Sequence, residues 1–368
     1  MNARKFFKSF EPYEWETSSL EIALKTGLNV EQIIRFDTNA SPVIPTNWLS
    51  NLSSKLEDVK INDYPDTSYL SLRKALSKYV NIDYNRIIVT NGADEGLDII
   101  VKSFIDEGTN AVLSSPTYSY YKVITQIAGG NIISIPRKEN FLDDEEKLVK
   151  AAKKEDTRII FLCSPNNPTG NSTKKETIIR LLEESDNLVV VDEAYSEFSG
   201  INNIDLTDKY DNLAVIRTFS KAFCLAGARV GYIISSRKTI DILNKVRPPN
   251  SVTSISLSLA EYGISDIEKV KDNIRSIIKE RDKCKSYLEK ISGVKVYPSE
   301  TNFLLVEFDS FSVEQLYKLL LKRGLIVRNL SHTPGLEKCL RFNIRLPYQN
   351  EILLSTISEI LNHSTKYI

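Results

Sequence analysis

Leu188-Val-Val-Val-Asp192-Glu-Ala-Tyr195 is the stretch that decides the fold: four apolar residues in unbroken series, closed by a carboxylate and followed by a small polar and aromatic cluster. A strand with one wet face alternates apolar and polar residues, whereas a continuous β-branched run suits a strand covered on both faces. Such strands belong to parallel sheets flanked by helices, so the run predicts an α/β architecture. In open sheets of that kind ligands bind beyond the carboxyl ends of the strands, and Asp192 stands at such an end.

Working outward from this run, similar β-rich stretches alternate with helical patterns between about residues 86 and 234. They are Arg86 to Thr90, Ala111 to Ser115, Asn131 to Pro136, Arg158 to Cys163, Leu188 to Asp192, Leu213 to Thr218 and Arg229 to Ile234. Together they predict a large domain with a mostly parallel central sheet and helices on both sides. After Arg247-Pro-Pro-Asn250 the pattern changes to one long helical stretch, Ser251 to Glu289, that suits a crossover between domains. Strands at Gly293 to Tyr297, Thr301 to Phe308, Leu325 to Asn329 and Leu340 to Ile344, with helices at Ser312 to Arg323 and from Asn350, then predict a smaller α+β domain. The residues before about position 35 hold one helical segment, too little for a core of their own, and are expected to pack on the small domain. The expected limits are 40–248 for the large domain and 1–39 with 249–368 for the small one, a division suited to a chain of 368 residues.

Forty-eight basic residues against forty-eight acidic ones leave no net charge, which speaks against a nucleic-acid or anionic-membrane partner. The 42% hydrophobic and 26% charged content is that of an ordinary globular protein. Cys163, Cys224, Cys284 and Cys339 form no close pair and are read as reduced thiols. His332 and His363 lack metal-ligand spacing, so no metal is expected. No apolar run is long enough for a signal peptide or a membrane span, and a cytoplasmic location is the expectation.

Polar groups gather where strands end. Thr218-Phe-Ser220-Lys221-Ala-Phe-Cys224-Leu-Ala-Gly-Ala-Arg229-Val-Gly231 surrounds one amine with anion-binding groups. That set suits pyridoxal phosphate, whose aldehyde is held by a lysine amine and whose phosphate needs hydroxyls and a cation, here Thr218, Ser220 and Arg229. A solvated lysine following a strand fits the segment equally well. Asn91-Gly92-Ala93-Asp94-Glu95 opens a helix after a strand, so its backbone N–H groups suit a phosphate, although Asn91 or Asp94 also reads as a plain helix cap. Asp192 suits a protonated pyridine nitrogen, a partner that would make the ring an electron sink. Tyr195 and Asn167 could donate to the ring's phenolate oxygen, Asn167 doubling as a turn residue. Tyr118 could stack on the ring or be a half-buried aromatic. Arg328 and Arg341, on two late strands, have the planar guanidinium suited to carboxylate or phosphate, or are surface arginines.

These segments resemble the fold type I pyridoxal phosphate enzymes, most closely the histidinol-phosphate aminotransferase group, over nearly the whole chain. The resemblance makes Lys221 the Schiff-base lysine, Ser220 and Arg229 phosphate ligands, and Ala93 and Asp94 part of the phosphate turn. It implies ring stacking by Tyr118 in Pro116-Thr-Tyr118, and carries over Asn167, Asp192 and Tyr195 in the roles above. Tyr64, in Asn62-Asp-Tyr64-Pro-Asp66, resembles the tyrosine that family members contribute to the neighbouring subunit's cofactor phosphate, which implies a homodimer with shared sites. Arg341, in Leu340-Arg-Phe-Asn-Ile344, matches the arginine for the substrate carboxylate, while Arg328 and Tyr13 match further substrate-side residues.

Two departures bear on substrate choice. The family's Asn-Glu-Asn-Pro is here Asn39-Ala-Ser-Pro42, so Asn39 joins the substrate-side residues without the glutamate that usually follows it. Arg345-Leu-Pro347 also stands where a glycine often follows the carboxylate-binding strand. The resemblance implies transamination between histidinol phosphate and 2-oxoglutarate in two steps. An aminotransferase for aromatic or other amino acids, or a phosphothreonine-type decarboxylase, shares the same cofactor residues.

Overall fold

The protein is described by a computed structural model covering residues 4, 7, 10–13, 15–54, 57 and 59–364; the extreme ends of the expected small domain, 1–3 and 365–368, lie outside the described residues. Strand β1 (Ile34–Arg35) precedes the main sheet, made of β2 (Ile87–Thr90), β3 (Asn110–Ser115), β4 (Asn131–Pro136), β5 (Thr157–Cys163), β6 (Leu188–Asp192), β7 (Leu213–Thr218) and β8 (Gly231–Ser235). Their order across the sheet is β2-β8-β7-β6-β5-β3-β4. Strand β8 runs antiparallel to both neighbours, and every other pairing is parallel.

The unbroken apolar runs are explained by two cores. In β6, Val189 and Val191 pack on one side of the sheet and Val190 on the other, each with no exposed surface. Strand β5 repeats the pattern with Ile160 and Leu162 against Ile159 and Phe161. A strand feeding two dry faces has no position left for a polar residue until it ends, which is why Asp192 and Cys163 come last and lie side by side in the register.

Arg229 and Val230 precede β8 instead of belonging to it, because Arg229 takes a left-handed backbone (φ 52°) that turns its side chain out of the ladder. Arg86 likewise sits in a short 3₁₀ turn ahead of β2, its guanidinium bound to the Thr207 carbonyl at 2.6 Å. In register, Gly231 lies between Thr90 of β2 and Thr218 of β7.

The later part of the chain forms a second, antiparallel sheet in the order β12 (Arg328–Asn329), β13 (Cys339–Asn343), β10 (Phe303–Phe308) and β9 (Val294–Val296). Strand β11 (Leu325–Ile326) pairs with β1 instead, so the single run expected from Leu325 to Asn329 is divided between two partners. The long helical stretch is also divided, into Ser254–Ser265 and Ile267–Leu288. Asp266 leaves the helical region (φ −109°, ψ 40°) while its carboxylate accepts from Trp48 Nε1 at 2.9 Å. Thr253 caps the first piece through Ser256 N. The last helix begins at Pro347, three residues before the expected Asn350, with proline at the first helical position where its missing N–H costs nothing.

The amino-terminal segment docks on the later part of the chain through the separate two-stranded pairing of β1 with β11. It does not stop there: Tyr13 reaches the large sheet's ligand edge, its ring 6.3 Å from Tyr118 and 6.1 Å from Tyr120. Among the described residues no helix is long and apolar enough to cross a membrane, and no group of His, Cys, Asp or Glu is placed to hold a metal ion.

Candidate active site

The carboxyl ends of β5, β6 and β7, the start of the helix Gly92–Phe104, and the two arginine-bearing strands enclose a cavity of about 410 Å³, within the ~300–1,000 Å³ of small-molecule sites. It gathers Lys221, Ala93, Asp94, Tyr118, Asn167, Asp192, Tyr195, Thr218, Ser220 and Arg229 from the large sheet, with Tyr13, Asn39, Arg328 and Arg341 from the other side. Tyr64 is not among the lining residues: it stands on the surface, 85% exposed.

Lys221 is half-buried at the cavity floor, and its Nζ donates to the Thr38 carbonyl at 3.3 Å. Burial, reinforced by the Arg341 and Arg229 guanidinium groups, lowers its pKa to about 8, with Asp94 opposing. An amine so placed is neutral part of the time near neutrality and can then accept a proton.

Asp192 is 4% exposed. Its Oδ2 accepts from the Tyr121 hydroxyl at 2.7 Å and its Oδ1 from Ala194 N at 3.0 Å. Burial raises its pKa from 3.8 to about 6, and those two donors hold it from rising further. A buried carboxylate that faces a cavity and makes no ion pair among the described residues suits a ligand that brings a cation.

One end of the cavity is built for an anion. Gly92 adopts a positive φ of 75°, and a Cβ there would fall 2.5 Å from Arg229 Nη2. Gly231 passes directly beneath, where a Cβ would lie 2.5 Å from the Gly92 carbonyl carbon and 2.7 Å from Ala93 N. Only glycine lets β8 run this close under the Gly92–Ala93 turn. Arg229 reaches Ser220 Oγ at 3.5 Å and Asp94 at 3.0 Å, and Ser220 Oγ lies 3.0 Å from Thr218 Oγ1. The turn's backbone, two hydroxyls and a guanidinium form a donor set for a phosphate dianion.

Several predicted residues are engaged differently from expectation. Asn91 holds the N-cap position without a side-chain cap bond, and Asp94 bonds Arg229 and the Tyr118 hydroxyl (3.1 Å), so neither acts as a helix cap. Asn167 accepts from Arg341 Nη1 at 2.5 Å through its carbonyl oxygen, which directs its amide group elsewhere. Tyr195 is buried and its hydroxyl accepts from Asn39 Nδ2 at 2.9 Å, keeping its own proton to donate. Burial pushes the Tyr195 and Tyr118 phenols up, so both stay protonated donors.

Arg341 is 7% exposed, lies 5.4 Å from the centre of the Phe303 ring, and also donates to the Asp37 carbonyl. Its buried Nε has no hydrogen-bond partner among the described residues, nor does Asn39 Oδ1. Arg328 pairs with Glu16 at 3.5 Å across the cavity mouth.

Tyr121, Gly231 and the Thr38 carbonyl were not legible in the sequence. Tyr121 follows Tyr118 by three residues, one helical turn, which is a signal for a shared face but not for a carboxylate two strands away. The other two act through backbone atoms that only the fold brings together.

The family model described as aminotransferase class I and II matches residues 31–357, and the chain belongs to that family. It is 35% identical over 360 residues to the histidinol-phosphate aminotransferase of Caldanaerobacter subterraneus subsp. tengcongensis, covering 98% of each chain. Among solved structures it is similar to the histidinol-phosphate aminotransferase of Sinorhizobium meliloti in complex with pyridoxal-5'-phosphate (TM-score 0.87, 23% identity, 98% of this chain and 97% of that one). The L-threonine-O-3-phosphate decarboxylase of Porphyromonas gingivalis is also similar in fold (TM-score 0.78, 24% identity, 90% of this chain and 100% of that one).

Proposed function

We propose that the protein is a pyridoxal phosphate-dependent aminotransferase that moves an amino group from histidinol phosphate to 2-oxoglutarate in two half-reactions. The observation that carries this is the placement, in one cavity, of an amine lowered to about 8, a buried carboxylate and a phosphate-shaped turn. Bound pyridoxal phosphate supplies an aldehyde that holds an amino group and a ring that withdraws electrons from the carbon beside it. The residues fit that group: the glycine cradle with Ser220, Thr218 and Arg229 suits its phosphate, Asp192 its ring nitrogen, and Tyr195 with Asn167 its phenolate oxygen.

In this reading Lys221 Nζ, once neutral, takes the proton from the substrate carbon that bears the amine and delivers it to the carbon on the other side of that nitrogen. Tyr118 covers one face of the site. Arg341, whose Nε has no hydrogen-bond partner among the described residues, binds the carboxylate of the amino acceptor, and Arg328 and Tyr13 at the mouth meet the phosphate of the donor. Asn39 orients Tyr195 and thereby supports the substrate side. Exposed Tyr64 serves the phosphate of a partner subunit's site, so two copies share their active sites. The free thiols Cys163, Cys224, Cys284 and Cys339 suit a reducing, cytoplasmic setting.

The test is glutamate formation from 2-oxoglutarate across a panel of amines. Histidinol phosphate is expected to give the highest kcat/KM. Preference for an aromatic amino acid would move the assignment within the family, and carbon dioxide release from phosphothreonine without glutamate would overturn transamination.

A further inference from the structure

Tyr121 is the one side chain touching Asp192 for which neither the sequence nor the family assignment supplies a role. It is fully buried, with its ring stacked on Phe161 (centroids 4.8 Å apart, planes within 6°) and meeting the edge of Tyr118 at 5.5 Å. Its hydroxyl reaches Asp192 Oδ2 at 2.7 Å. The stacked ring leaves the hydroxyl no freedom to turn away, so the bond is made by packing and not by chance contact.

We propose that Tyr121 is a positioning residue: its hydroxyl holds the Asp192 carboxylate ionised and oriented with its remaining lone pairs facing the cavity, where the ring nitrogen of the cofactor is bound. The inference rests on the assignment of the cavity to pyridoxal phosphate and is independent of which amine is used.

The physical case has two parts. A phenol donates more strongly to a charged carboxylate oxygen than to either oxygen of the neutral acid, so the bond favours the carboxylate over the acid. Ala194 N fixes the other oxygen, and two donors on two oxygens set the plane of the group. The titratable groups around Asp192 are Asp94, which disfavours its ionisation, Lys221, which favours it, the Cys163 thiol beside Tyr121, and the Tyr118 and Tyr195 phenols. Among the described residues none of these groups hydrogen-bonds to the carboxylate, so the Tyr121 hydroxyl is the side-chain donor that acts on it.

The experiment compares the wild type with Tyr121→Phe, which keeps the stacked ring and removes one oxygen. Apoprotein is titrated with pyridoxal phosphate between pH 5 and 8, following the quenching of intrinsic fluorescence. Loss of a hydrogen bond to a charged group predicts affinity weakened on the order of tenfold at pH 7. Because Asp192 then protonates more readily, the loss of affinity on acidification begins at a higher pH in the variant. Tyr297→Phe removes a similar tyrosine–carboxylate bond, to Glu307 at 2.6 Å in the small sheet, and is expected to leave affinity and pH profile unchanged. Equal affinity and an unmoved acid limb in Tyr121→Phe would overturn the inference. A shift of the same size in Tyr297→Phe would also overturn it, by showing a general effect of lost stability. If the wild type itself fails to bind the cofactor, it is the assignment of the cavity that falls.

Discussion

Gly231→Ala adds one methyl group where β8 passes under the Gly92–Ala93 turn. The new Cβ would meet the Gly92 carbonyl carbon at 2.5 Å, Ala93 N at 2.7 Å and the Gly92 oxygen at 2.8 Å, all backbone atoms with no rotamer to change. Reaching the ordinary contact distance of 3.4 Å requires the turn to rise by about 0.9 Å. Gly231 is held from both sides by its ladders to Thr90 and Thr218, so the displacement falls on the turn. Overpacking of this kind costs about 1–3 kcal/mol, and a shift near 1 Å in a binding constellation costs about 10²-fold. We therefore expect pyridoxal phosphate affinity of the apoprotein to fall about 10- to 100-fold, with both sheets still folded by circular dichroism. Gly227→Ala, where a Cβ meets nothing within 4 Å, is the matched control and should bind normally. Undiminished affinity in Gly231→Ala would refute the placement of the phosphate on this turn.

Four further outcomes follow from the same geometry. Lys221→Ala should fold and abolish turnover, since the other lysine lining the cavity, Lys122, pairs with Glu11 at 3.2 Å; turnover at the normal rate would contradict the role given to Lys221. Arg341→Lys should raise KM for 2-oxoglutarate about 10- to 100-fold, because an ammonium cannot replace the fork that spans Asn167 and the substrate. In the apoprotein, Asp192 binds a proton more tightly folded (about 6) than unfolded (3.8), so its contribution is favourable below about pH 4 and is lost as pH rises through 6. The shift is equivalent to roughly 3 kcal/mol, so the stability of Asp192→Asn relative to wild type should improve by a figure of that order between pH 4 and 7, read by denaturant unfolding. A difference constant with pH would contradict the burial argument. Finally, Tyr64→Ala should lower activity, and mixing it with Lys221→Ala subunits should restore about a quarter of wild-type activity if symmetric dimers share sites; no restoration would refute the sharing, and full activity in Tyr64→Ala alone would separate Tyr64 from the site.

What the sequence made legible was whatever a strand announces at its own end. The apolar run Leu188–Asp192 revealed both the two-sided sheet and the carboxylate, because a strand buried on both faces displays its polar residue only where it stops. The segment around Lys221 was readable for a similar reason, its hydroxyls and arginine being close in the chain as well as in space. Residues whose role depends on pairing between distant segments were silent. Gly231 matters through the register of β8 with β2, and Tyr121 through its alignment with β6. The break at Asp266 needed Trp48, more than two hundred residues away, to draw its side chain off. The antiparallel direction of β8 likewise left no mark in its composition, since its residues are as dry as those of the parallel strands of the sheet.

Lys221 is the residue expected to carry the cofactor, and chemical trapping reads that attachment out. Holoprotein is reduced with borohydride, digested, and the peptides are mapped by mass spectrometry. The account predicts the pyridoxyl group on Lys221, in near-stoichiometric yield, with no label elsewhere. Label on another lysine, or none on Lys221 in protein that retains the cofactor, would contradict it.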